Sequence, residues 1–258
     1  MKMSKVIAIS NFKGGCGKTT SAIDLSAAFA KLGCKVLAID SDGQGHLTIG
    51  FGFSKNQRMT LKDMLENEIM GFEYDPTDAI LHTEEGVDVI PANKLISGIA
   101  LNSAENPELV LKGYIDKIRD RYDVIIIDCS PAFGMMNINV LAAADGVIIP
   151  TKPEYFGIDG LQEIIGSVRS IRRRFNPELA IEGILFTMDT CRYNNTKRNK
   201  QAVQDAFGED INIYDFTIPN QVALAEASSE GVSIHSYDKR SQGAQNYLAV
   251  AKEVLANG

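Results

Sequence analysis

Residues 13–20 read Lys-Gly-Gly-Cys-Gly-Lys-Thr-Thr, and they join a β-branched apolar run at 6–10 to a helix-period stretch at 19–32. A short strand, a glycine-rich turn and a helix in that order form a phosphate loop. Gly14, Gly15 and Gly17 let the backbone approach phosphates closely, with amides converging on the anion at the helix N-terminus. Lys18 is placed to meet the β- and γ-phosphates as a point charge, and the Thr19 hydroxyl to ligate Mg2+, with Thr20 behind it. Such a loop follows a buried parallel strand, which constrains the chain to an α/β architecture. The ordinary pattern needs a glycine where Phe12 stands, and an additional lysine, Lys13, sits beside it. This is the deviant Walker A form of a P-loop NTPase.

The rest of the chain agrees with that architecture. Apolar runs at 35–39, 87–91, 124–129, 146–150, 181–186 and 213–218 alternate with amphipathic stretches at 108–121, 160–175 and 242–255. Several of the runs lack polar alternation, as strands buried on both faces do. In 160–175, Leu161, Ile164, Ile165, Val168 and Ile171 form one stripe, with the arginines off it. The pattern predicts a doubly wound, mostly parallel sheet flanked by helices, in a single domain over 1–258. Residues 50–82 are weakly patterned and read as an excursion with short helices.

Two strand ends carry carboxylates. The run 35–39 leads into Asp40-Ser41-Asp42-Gly43-Gln44-Gly45, and Val124-Ile125-Ile126-Ile127 leads into Asp128. Ligands of parallel sheets sit at the carboxyl ends of strands, so Asp40, Asp42 and Asp128 are candidates for a metal–phosphate site. Asp128 has the Walker B position, reaching Mg2+ through water.

Net charge is −7. Residues 169–200 hold eight basic residues against three acidic ones, so this segment is +5 and the remainder −12. A basic face on an acidic protein is a phosphate-backbone footprint or a solvated helix face. No apolar run approaches the ~18–20 residues that span a bilayer, and the stretch 249–258 is weakly charged and reads as a packing helix, not a basic amphipathic membrane helix; the expectation is a cytoplasmic protein without membrane contact. Of the cysteines at 16, 34, 129 and 191, none are spaced Cys-x-x-Cys. Cys16 stands inside the phosphate loop, where backbone amides are expected to lower its pKa and make it reactive.

These motifs resemble the ParA/MinD family of dimerising ATPases. The resemblance runs along nearly the whole chain, including residues 139–145, 153–161, 224–227, 237–241 and 251–255, and fits the partition branch. It implies ATP and Mg2+ as cofactors and a homodimer bridged by ATP, with Lys13 reaching the partner's phosphates much as an arginine finger does. Asp40 then supports the Mg2+ shell, and Asp42 positions the attacking water. Gly43 replaces the family's usual proline, which suggests a looser switch. Pro219 and Gln221 fall on a segment that carries adenine contacts. The partition branch further implies nonspecific duplex DNA as a partner, nucleoid association, and a ParB-like protein that stimulates a slow hydrolysis. Arg192 aligns with a DNA-contacting arginine, and Lys197, Arg198 and Lys200 follow it. The family's Pro-Arg-Asn-Val-Arg segment, however, reads Pro219-Asn220-Gln221-Val222-Ala223 here, without either arginine.

Two alternatives remain beside DNA partition. One is an ATPase that positions a protein cargo and binds DNA weakly, suggested by the missing arginines. The other is a redox ATPase like the nitrogenase iron protein, which shares the deviant loop and would use Cys129 as a cluster ligand.

Overall fold

The apolar run at the start of the chain forms β1 (Lys5–Ile9), which lies inside the sheet between two parallel neighbours. These are β5 (Val124–Asp128) and β6 (Gly146–Thr151). The computed structural model describes residues 4–154, 157–190 and 194–257. Beyond β5 come β2 (Val36–Asp40), β4 (Val87–Ile90) and β3 (Leu81–His82); beyond β6 comes β7 (Ala180–Phe186). The order is β3-β4-β2-β5-β1-β6-β7, parallel except for the edge strand β3.

The absence of alternation in these strands has a direct cause. Val6 and Ala8 enter the core on one face of the sheet, and Ile7 and Ile9 enter the core on the other. The first face is covered by α3 (Leu61–Met70), α4 (Val110–Ile118), α5 (Met135–Ala143) and α6 (Gly157–Arg174). The second is covered by α1 (Lys18–Lys31), α8 (Val222–Glu230), α9 (Ile234–Tyr237) and α10 (Gln242–Ala256). The expected stripe of α6 is buried as read, and Arg169, Arg172, Arg173 and Arg174 are exposed. The described residues include two further α-helices, α2 (His46–Gly50) and α7 (Asn194–Phe207), the latter packed on α6.

One expected strand is absent. In residues 213–218, Tyr214 N donates to Ile184 O and Ile218 N to Phe186 O. Four residues therefore advance on one side against two on the other, and the exposed residues Asp215 and Phe216 loop out between them. These bonds amount to an isolated bridge between Ile213 and Ile184, and no strand ladder forms. The sheet gains its seventh strand from β3, inside the 50–82 excursion. There α3 is also found, its first turn fixed by Thr60 N donating to Asp63 Oδ2.

The helix that follows the phosphate loop is held by the last helix. Tyr247 on α10 is buried, and its hydroxyl lies 3.0 Å from Ser21 Oγ on α1. Val250, Ala251 and Val254 enter the same core. The apolar face of the C-terminal helix is thus used in packing, and none of the described helices is long and apolar enough to cross a membrane.

A buried acid on α1 has a measurable consequence. Asp24 is enclosed beside Glu85, and burial raises its pKa from 3.8 to about 8, although its Oδ1 accepts a hydrogen bond from Ile234 N. The folded state thus holds a proton that the unfolded chain releases. Stability from this group is full below about pH 4 and falls as pH rises toward 8. Asp24→Asn keeps the acceptor and removes the ionisation. Its unfolding midpoint is expected to match wild type near pH 4 and to exceed it at pH 9 by the equivalent of about 5 kcal/mol. A constant difference across a pH series of denaturant melts would contradict this.

Candidate nucleotide site

The phosphate loop leaves β1 through Asn11, which ties it at two points. Asn11 Nδ2 donates to Pro150 O at 2.8 Å, and its Oδ1 accepts from Lys13 N at 3.0 Å. Gly14 and Gly15 are exposed at the tip, with open space where a Cβ would stand. Gly17 has φ 82°, a left-handed conformation that disfavours any side chain, immediately before α1. Thr187, just past β7, donates from Oγ1 to Cys16 O at 2.7 Å and so clamps the loop from outside.

The two lysines of the motif point to different places. Lys18 is buried and folds back across the loop, its Nζ donating to Lys13 O at 3.0 Å. Lys13 reaches outward, and its Nζ pairs with Glu154 Oε2 at 2.7 Å on an exposed rim. The hydrogen bond from that ammonium holds the Glu154 carboxyl below the ordinary carboxylate range. Beside Lys13, the Phe12 ring meets Phe133 edge-on, centroids 4.9 Å apart, and Phe133 is half exposed.

The carboxylates converge as the strand register requires. Asp40 and Asp128 are direct partners on β2 and β5. Asp128 Oδ2 accepts from Thr19 Oγ1 at 2.7 Å. Its Oδ1 is buried with no hydrogen-bond partner. Burial, and then the Asp40 charge, push the Asp128 pKa well up. An orphaned carboxylate oxygen, a second buried carboxylate and a threonine hydroxyl together form a donor set suited to a hard divalent cation. Asp40 has other commitments: its Oδ2 accepts from Thr48 N and Thr48 Oγ1, and its Oδ1 from Asp42 N. It shapes the following loop as well as adding charge. Asp42 is half-buried, with Oδ1 accepting from Gln44 N at 2.9 Å.

That loop is tighter than the glycine at 43 suggests. A Cβ there would lie 2.6 Å from Ser97 Oγ, so Gly43 admits the 3-10 turn Lys94–Gly98 against the switch. Gly45 is required twice over, by φ 63° and by Ala92 O, which a Cβ would approach to 2.9 Å.

A cavity of about 130 Å³ adjoins the loop, and it gathers Gly17, Thr20, Pro219 and Gln221 with the apolar Ile218, Leu224 and Tyr247. An apolar slot with a few polar groups beside a phosphate loop suits a planar base. Gln221 also accepts from Gly243 N, joining the slot to α10. Larger grooves lie elsewhere, among them one around Lys31 and Glu85 and one around Lys35 and Arg121.

Of the candidate DNA contacts, Arg192 lies outside the described residues. Lys197 and Arg198 are exposed on α7. Lys200 is only partly exposed and pairs with Asp189 Oδ2 at 2.8 Å. Two cysteine expectations change. Burial outweighs the amides at Cys16 and raises its pKa, and its Sγ donates to Lys13 O. Cys129 is buried, with its thiol pushed up to about 12, which disfavours the thiolate a cluster ligand needs.

Known proteins resemble this chain in sequence and in fold. A family model described as an AAA domain matches residues 4–181. The sporulation initiation inhibitor protein Soj of Bacillus subtilis (strain 168) is 40% identical over 260 residues, covering 99% of this chain and 100% of its own. The chain belongs to the ParA/Soj family of P-loop ATPases. The chromosome partitioning protein ParA of Caulobacter vibrioides is 37% identical over 257 residues, covering 98% of this chain and 94% of its own. Among solved structures, cobyrinic acid a,c-diamide synthase from Mycobacterium smegmatis with bound ADP and magnesium superposes with TM-score 0.86 at 28% identity. That match covers 99% of this chain and 95% of that one. The septum site-determining protein MinD from Pyrococcus horikoshii OT3, complexed with Mg-ADP, gives 0.79 at 28%, covering 98% of each chain. Both neighbours hold an adenine nucleotide with magnesium, in keeping with ATP and Mg2+ as the expected cofactors of this ParA/Soj-family ATPase.

Sequence reasoning missed Asn11, Thr48, Glu154 and Thr187 as parts of the site. Glu154 lay within a motif that was recognised. Thr48 and Thr187 carry no local signal, because they act through contacts made only in the fold.

Proposed function

We propose that this protein is a partition-type ATPase acting as a single domain over 1–258. It binds ATP with Mg2+, pairs with a second copy across the nucleotides, engages duplex DNA as that pair and lets go after hydrolysis. The observation that carries this is the division of labour between the lysines. Lys18 folds over its own loop, whereas Lys13 extends to a solvent-facing rim, where a second copy can receive it. The loop amides and Lys18 would hold the phosphates, while Thr19, Asp128 and Asp40 would hold the metal. When bound, the metal neutralises phosphate charge. Asp42 would orient the attacking water, Pro219 and Gln221 would border the base, and Lys13 would add positive charge where the transition state gathers negative charge.

DNA contact is assigned to α7, through Lys197 and Arg198, with Arg192 and Lys200 as further candidates. Hydrolysis is slow alone and is stimulated by a ParB-like partner; the ATP-bound pair associates with the nucleoid. Two copies of Lys197 and Arg198 on four phosphates predict that ATP-dependent retention on nonspecific duplex DNA falls about 100-fold between about 50 and 200 mM salt. Retention without salt dependence, or none at low salt, would contradict the DNA half of the proposal. Changing Arg192, or the 197/198/200 cluster, to alanine should weaken binding equally across sequences.

A protein cargo in place of DNA is favoured by one observation. Where the family carries its two arginines, Asn220 and Ala223 flank Val222, which is 73% exposed. Failed DNA retention together with capture of a specific protein by the ATP-bound form would select this alternative.

A further inference from the structure

Three consecutive residues just past β7 touch three different parts of the molecule. Thr187 Oγ1 donates to Cys16 O inside the phosphate loop. Met188 lines the cavity beside that loop and has φ 51°, a left-handed backbone seen at no other non-glycine among the described residues. The Asp189 side chain has no exposed surface, and its Oδ2 accepts from Lys200 Nζ of α7 at 2.8 Å and from Thr217 Oγ1 at 2.7 Å. The backbone of Asp189 is also part of the cavity frame. Its N–H donates to Ile218 O, and its carbonyl accepts from Asn220 N.

We propose that Asp189 is a positioning residue that couples nucleotide occupancy to the placement of the basic helix α7. A base in the slot bears on Met188, whose left-handed backbone is the segment's least favourable conformation and so the point most ready to rearrange. Thr187 and Asp189 are its covalent neighbours, so a change at Met188 reaches both the loop clamp and the Asp189–Lys200 pair. A nearly buried charge-assisted hydrogen bond transmits displacement because neither water nor another acceptor easily replaces the carboxylate. Lys200 also lies over the Phe186 ring at 5.5 Å, so it is held from the β7 side at two points. The coupling rests on the proposal that this site takes ATP, and it gives α7 a second state that the nucleotide favours.

Hydrogen exchange across residues 194–207, with and without ATP and Mg2+, tests the coupling without relying on DNA. Wild type is expected to show a several-fold change in exchange rate in α7 on nucleotide addition. Asp189→Asn keeps the shape and an acceptor but loses the charge, and Lys200→Gln changes the other end without burying a new charge. Both are expected to bind a fluorescent ATP analogue within about threefold of wild type and to lose the nucleotide response in α7. A response that survives in both variants overturns the proposal. So does an α7 in wild type that ignores a bound nucleotide. Failure of wild type to bind the analogue at all would instead overturn the nucleotide-site assignment on which the coupling rests.

Discussion

Lys13→Ala is expected to lower ATP hydrolysis by about 1000-fold, in the range that charge supplied from a neighbouring subunit contributes to phosphoryl transfer. That loss equals about 4 kcal/mol of transition-state stabilisation. Binding of an ATP analogue should change little, because Lys18, the loop amides and the cavity are untouched. Lys13 is free to leave its resting place, since an exposed pair such as Lys13–Glu154 contributes at most about 1 kcal/mol. Steady-state phosphate release measures the effect, and undiminished turnover would remove Lys13 from catalysis. Mixing sharpens the result. Lys13→Ala and Asp42→Ala chains, each inactive alone, should regain activity together, because a mixed pair contains one site with its own Asp42 and a donated Lys13. No recovery on mixing would mean that Lys13 serves its own site.

Asp42→Ala is expected to reduce turnover by about 100- to 1000-fold while nucleotide stays bound, the usual cost of losing a group that orients or deprotonates the attacking water. The structure gives Asp42 a second task that must be separated from the first. Its Oδ1 accepts from Gln44 N and so shapes the switch. Asp42→Asn keeps that acceptor. If the asparagine variant is as slow as the alanine variant, the carboxylate charge is required; if it turns over normally, Asp42 is only a turn former. Single-turnover measurement with saturating ATP separates loss of chemistry from loss of binding.

The parts of this molecule that were legible in the sequence are those whose signal is local. The phosphate loop and the strand ending in Asp128 are contiguous in the chain and were read correctly as loop and strand. The stripe of α6 declares itself by helical period. What escaped was set by distance along the chain. Thr187 clamps a loop 171 residues away, and Glu154 receives a lysine 141 residues away, with no periodicity to announce either. Cys16 shows the same limit from the other side. The amides expected to activate it are adjacent, but the burial that outweighs them comes from tertiary packing. At 213–218 the composition suits a strand, yet the unequal advance against β7 is a property of the pair of segments and not of either alone.

The seat of α1 on α10 sets an order of events during synthesis. β1 precedes β5 and β6 in the chain yet lies between them in the sheet, and it cannot be paired on both sides until both exist. The helix behind the phosphate loop then waits for Tyr247, 226 residues beyond its partner Ser21, to close its core. A nascent chain on the ribosome therefore carries its nucleotide motif long before it has a finished nucleotide site. A product truncated before α10 leaves the apolar back of α1 uncovered, which marks it for aggregation or proteolysis in place of competition for ATP.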